Sequence, residues 1–155
     1  MSQRFVSRGT AADSVYQLVV TPESAGWGFS GLRFLELEAG GGHAFETGSD
    51  ERIVLPLRGG CAVNAGGAQF TLHGRASVFS EVSDFVYVPR DTPVELTSED
   101  GGRFALPAAR AGRRLEPRYV AAADVPVCRS SSAAPVRRAA RSTTSARRRV
   151  SPRIA

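Results

Sequence analysis

Between Arg52 and Leu96 the apolar residues fall in short runs, and no window keeps a helical i, i+3, i+4, i+7 stripe. The runs Arg52–Arg58, Cys61–Ala65, Ala68–Leu72, Ser77–Phe79, Phe85–Val88 and Thr92–Thr97 are rich in Val, Leu, Phe and Tyr. Gly, Asn, Asp and Pro interrupt them every few positions, so each run predicts a strand. Many short strands at close spacing predict an antiparallel sandwich or barrel.

The flanks extend the pattern. Tyr16–Thr21 (YQLVVT) predicts a first strand, ended by the Thr21-Pro22 step. The following PESAGWGFSG predicts a loop in which Trp27 is an aromatic anchor folded over the barrel. Leu32–Glu38 (LRFLELE) alternates apolar and charged residues with period two, as a half-buried strand does. Gly40–Gly42 turn the chain, and His43–Thr47 can return as a short strand. Asn64-Ala65-Gly66-Gly67 is a strong hairpin signal; Thr97–Gly102 (TSEDGG) predicts another, with Gly102–Ala108 as the last barrel strand. Ala111–Pro117 then predicts a departure from the core, followed by Arg118–Val127.

Size and charge sharpen this picture. A chain of 155 residues can bury a core as one domain. No apolar run approaches membrane-spanning length, and MSQRFVSRGTAADS lacks the hydrophobic segment of a secretory signal, so a cytoplasmic location and no membrane partner are expected. Cys61 and Cys128 have no metal-ligand spacing, and Cys61 in an apolar run reads as a small buried hydrophobe. All twenty basic residues are Arg. Cys128–Ala155 holds eight of them and no acid, a charge of +8, whereas the preceding twelve Arg face fifteen acids and leave −3. The basic character is therefore a property of the tail, and the globular part has no electrostatic footprint for nucleic acid.

Two Gly- and Pro-punctuated halves around a central hairpin resemble a cupin: an all-β, cupin-like antiparallel β-barrel or jelly roll. Metal-dependent cupins carry G-x5-H-x-H-x3,4-E-x6-G and P-x-G-x2-H-x3-N motifs, whose three His and one Glu converge on a divalent ion. With Gly59 as the closing glycine, Arg52 falls at the Glu place and the paired His places fall among Phe45–Gly48, which contain no His. In the second motif Pro89 aligns, Asp91 takes the glycine place and Val94 the His place. An Arg there repels a divalent cation, so the expected barrel is metal-free. His43 reads as an exposed turn residue, and His73 lies in the Leu72-His73-Gly74 turn without a partner at ligand spacing. No Gly-x-Ser-x-Gly elbow or phosphate-binding glycine loop is present. The sequence thus assigns no catalytic, cofactor-binding or metal-binding residue.

Thr21 to Phe29 (TPESAGWGF), Gly59 to Gly67, and GRASVF with DFVYVP at Gly74–Phe79 and Asp84–Pro89 resemble the 5-deoxy-glucuronate isomerase family of inositol catabolism. The resemblance runs from about Val20 to Val127. It implies a two-barrel isomerase converting 5-deoxy-glucuronate, a uronate, to 5-dehydro-2-deoxygluconate. A proton moves between adjacent carbons while an electrophile stabilises the enediolate. A metal, zinc or manganese, held by the family's second barrel would supply that electrophile. The division implied is an N-terminal arm at 1–14, a barrel at 15–110, a connector at 111–127 and a tail at 128–155. An isolated half would expose apolar surface and tend to form homo-oligomers. The alternatives are a metal-free cupin that binds a sugar acid, and an Arg-tail binder of nucleic acid or anionic membrane, which lacks any aromatic interleaving.

Beyond Cys128 the chain has no aromatic residue, no Gly and no usable periodicity, so disorder is expected. With synonymous codons chosen freely, a shifted frame from Ala133 onward reads GAGSASRQVHNFGTPAGFAADR, and its SRQV-N-F pattern resembles the family beyond the connector. The expectation is a frameshift near Cys128 and a catalytic half missing from this chain. The nucleotide sequence across Pro126–Ala134 and beyond should show a one-base change that restores a downstream barrel with His ligands; absence of such a frame refutes the expectation.

Overall fold

The structure is a computed structural model that describes residues 15–126. The arm at 1–14 and the tail lie outside the described residues, as does the last connector residue. The elements are β1 (Tyr16–Val20), a short helix α1 (Pro22–Ala25), β2 (Ser30–Leu37), β3 (Gly41–Glu46), β4 (Asp50–Ala65) and β5 (Ala68–Arg75). They continue with β6 (Phe85–Val88), β7 (Pro93–Ser98), β8 (Gly102–Arg110), β9 (Arg118–Val120) and a 3-10 turn at Ala122–Asp124. One sheet has the order β1-β2-β8-β4-β6-β9; the other has β3-β7-β4-β5, and every pairing is antiparallel. The all-β cupin-like barrel is the observed fold.

The expected strands Arg52–Arg58 and Cys61–Ala65 are one 16-residue strand, β4, which serves both sheets. Its first part pairs with β6 and β8, and its second with β5 and β7. The register with β8 slips between Pro56 and Arg58, a bulge that accommodates a residue without an N–H. Gly59 and Gly60 then let the strand pass between sheets. Gly59 has φ of 77°, and a Cβ on Gly60 would sit 2.5 Å from the Leu72 carbonyl oxygen. Gly74 on β5 approaches so closely that a Cβ there would overlap the Gly59 carbonyl. The core is apolar and continuous, with Leu35, Val54, Val63, Leu72, Val86, Leu96, Phe104 and Leu106 fully enclosed.

The hairpin at Asn64–Gly67 forms as expected. Gly66 and Gly67 both have positive φ, and the Gly67 N–H donates to Asn64 Oδ1 at 3.1 Å. Four local expectations change. Thr97–Gly102 turns the chain but joins no hairpin: β7 belongs to one sheet and β8 to the other, so the turn is a corner of the barrel. Ser77–Phe79 is not a strand, because the Ser80 hydroxyl accepts from the Ser77 N–H and donates to the Ser77 carbonyl, closing a local turn. That turn leaves Phe79 96% exposed. Pro22–Ala25 is a helical turn capped reciprocally by Thr21 and Ser24 and ended by left-handed Gly26. Trp27, which follows this turn, is 52% exposed rather than folded away over the barrel. Finally, Arg118–Val120 returns to the barrel edge and pairs with β6.

Asp84 fastens the end of β5 to β9. Buried beside β5, it accepts hydrogen bonds from the His73 and Gly74 N–H groups at 2.8 and 3.0 Å and from Tyr119 Oη at 3.0 Å. Asp84→Ala leaves these donors without their acceptor and should cost about 3 kcal/mol, whereas Tyr119→Phe should cost about 1 kcal/mol. Denaturant unfolding of both variants tests the ranking; equal losses would show that the backbone donors find other partners.

Candidate functional site

The two halves of the template can now be located in space. Arg52, at the Glu place, is 6% exposed on the inner face of β4, and Val94, at the His place, is 2% exposed on β7. Asp91, at the glycine place, has φ of 52°, the left-handed region that glycine normally fills. Phe45, from the stretch where the paired His would lie, packs against the core and stands under Arg52, whose Cζ is 5.8 Å from its ring centroid.

Strand phase brings further polar residues to this end of the barrel. Leu35 and Leu37 point inward on β2, so period two places Arg33 on the same face. Its Cζ lies 5.1 Å from the Tyr16 ring centroid. His43 is a half-buried residue of β3 rather than an exposed turn residue: the strand begins at Gly41 and its alternation puts His43 beside Phe45. His43 Nε2 and Tyr16 Oη are hydrogen-bonded at 2.7 Å. Burial, reinforced by the Arg33 charge, lowers the His43 pKa below its ordinary 6.5 and favours the neutral ring. His73, by contrast, lies within β5, exposed.

Arg52 is held loosely. Its terminal nitrogen is 3.7 Å from Asp50 Oδ2, and its buried Nε has no hydrogen-bond partner among the described residues. Arg110 Nε approaches the other Asp50 oxygen only to 3.9 Å. Burial lowers the Arg52 pKa, as does Arg33, while Asp50 opposes them. Arg33, Arg52 and Arg110 line one cavity of about 130 Å³ with Asp50, Glu23 and the small residues Gly31 and Ala108.

This arrangement does not fit a divalent cation. A buried guanidinium occupies the Glu place, and among the described residues no three His, Cys, Asp or Glu side chains are grouped to hold a metal. Cys61 is likewise no ligand or nucleophile: burial, then the Asp84 charge, pushes its thiol up to about 12. The sequence pointed to Arg52 through the template. It pointed past Arg33 and His43, although the phases of Leu35-Leu37 and Phe45 carried the signal.

The KduI/IolB family profile matches residues 5–149. The chain belongs to the KduI/IolB family. The match continues beyond Cys128 into the segment for which a shifted frame was expected. An IolB-like protein from Salmonella typhimurium LT2 superposes with a TM-score of 0.69 at 25% identity, covering 74% of this chain and 44% of that one. A cupin protein from Bacteroides fragilis superposes with a TM-score of 0.51 at 19% identity, covering 75% of this chain and 91% of that one, and shows the fold. Comparison with curated proteins finds no match. The chain therefore spans less than half the length of its IolB-like neighbour. Among the described residues no helix is long and apolar enough to cross a membrane.

The state of His43 is directly testable. Below pH 6.5 the unfolded chain binds more protons at this residue than the folded one, so acidification through that range should destabilise the fold. The His43 ring resonances should titrate with a midpoint below 6.5, and His43→Gln should flatten the pH dependence of stability there. A midpoint at or above 6.5 would refute the burial argument.

Proposed function

We propose that this chain supplies the scaffold barrel of a two-barrel sugar isomerase that interconverts 5-deoxy-glucuronate and 5-dehydro-2-deoxygluconate. The observation that carries this reading is the family match over 5–149, joined to a superposition on 44% of an IolB-like protein. Aldose–ketose isomerisation needs a base at the migrating proton and an electrophile at the developing oxyanion. The polar end of this barrel offers fixed guanidinium charge and a neutral imidazole, but a donor set unfit for a metal electrophile. The reading therefore assigns the zinc- or manganese-dependent step to the family's other barrel. It leaves to this one the support of that barrel and of subunit association.

The 155-residue chain, assayed with 5-deoxy-glucuronate and added zinc or manganese, should show no turnover above background. Turnover that saturates with substrate would overturn the scaffold assignment.

A further inference from the structure

We propose that Arg33 and Arg52, with Arg110 at the rim, form a binding site for the carboxylate of a small organic acid at the open end of this barrel. Arg52 carries the argument. It is more than nine-tenths buried, yet among the described residues its Nε donor has no hydrogen-bond partner, and Asp50 approaches its terminal nitrogen only to 3.7 Å. A buried charge without hydrogen bonds is among the costliest arrangements in a protein interior. The guanidinium edge formed by Nε and its neighbouring terminal nitrogen matches the two oxygens of a carboxylate. A carboxylate in the cavity would pair with the Arg33 and Arg52 guanidiniums that line it.

Space and charge agree with this occupant. Gly31 lies on β2 with Arg33, and Ala108 lies on β8, between β2 and the strand that carries Arg52. The register pairs Gly31 and Arg52 with the same Ala108, and all three line the cavity. The resulting cavity, about 130 Å³, admits a carboxylate and its adjoining carbon, with the rest of the molecule projecting outward. Three arginines lining it face two carboxylates, Asp50 and Glu23, an excess of one positive charge. That balance suits a monoanion better than a phosphate dianion. Asp50 sits 3.7 and 3.9 Å from Arg52 and Arg110, and so spaces the two cations without occupying the fork. The site is independent of the isomerase reading, because it rests only on these side chains.

The full chain should be titrated with D-glucuronate, D-glucose and inorganic phosphate by calorimetry, while the Arg52 Nε–H resonance is followed by NMR. Glucuronate should bind saturably and shift that resonance; glucose should not bind, and phosphate should bind more weakly. Arg52→Met should weaken glucuronate binding by about tenfold or more, the loss expected of a charge-assisted pair. Arg33→Gln should weaken it by a smaller factor and serves as the second variant if Arg52→Met fails to fold. Equal binding of glucose or phosphate, an unmoved Arg52 resonance, or unchanged affinity in the folded variants would overturn the assignment. Turnover of 5-deoxy-glucuronate would overturn the scaffold reading alone and leave this site standing.

Discussion

Everything in this barrel depends on one strand passing between two sheets where backbone meets backbone. β4 pairs with four neighbours, and its transfer from one sheet to the other occurs at Gly59-Gly60. There the Gly59 carbonyl faces Gly74, while a Cβ on Gly59 would lie 2.5 Å from the Gly101 carbonyl oxygen. A Cβ on Gly102 would in turn lie 2.7 Å from the Arg58 carbonyl oxygen. No side chain fits between these segments. The corner brings β5 and β8 against the middle of β4, and Asp84 secures the β5 side by accepting the His73 and Gly74 N–H groups. Without that close approach the two sheets could not share a strand, and the inner faces would not enclose a common core.

Closing the barrel in this way divides its interior. The middle is filled by Leu35, Val54, Val63, Leu96, Phe104 and Leu106. The end towards Tyr16 and Arg33 is polar, and there β2, β3 and β4 each contribute one titratable inward-facing residue: Arg33, His43 and Arg52. These groups meet across the interior: β2 and β4 flank β8 in one sheet, and β3 faces them from the other. Their electrostatics follow. Burial first, then the Arg33 charge, disfavours protonation of His43, so its neutral ring is favoured.

What the sequence disclosed follows the same division. Strand positions were legible wherever apolar residues alternate between turn residues, as in Leu32–Glu38 and around the Gly66-Gly67 hairpin. Continuity was not: Gly59-Gly60 looks like a turn in the sequence, yet tertiary contacts make it a crossing within one strand. Ser77–Phe79 carried strand-forming residues, and local serine hydrogen bonds won. Trp27 misled because burial is the usual fate of tryptophan, whereas the capped turn at Pro22–Ala25 sets its direction. For the polar end, aligning a metal motif found Arg52 and Val94 but examined only the ligand places. Arg33 sits on a strand outside both motifs and was not considered, whereas His43 follows three glycines and read as an exposed turn residue.

A guanidinium at the Glu place changes the chemistry available there, not merely its strength. A metal ion is a cation that accepts electron pairs and exchanges its ligands, and so can polarise a bound oxygen as a Lewis acid. Arg52 is a cation of fixed position that can only donate hydrogen bonds, through a planar fork. Both attract anions. Only the metal can act as an exchangeable electrophile. The protein accepts the desolvation cost of Arg52 without giving its Nε a partner, and offsets it only partly with Phe45 below and Asp50 at a distance. A residue selected for stability alone at this enclosed position would be apolar, as Val54 is two residues further along the same inner face. The charge at Arg52 is therefore best understood through the cavity it lines with Arg33 and Arg110, whose excess of positive charge suits a small carboxylate.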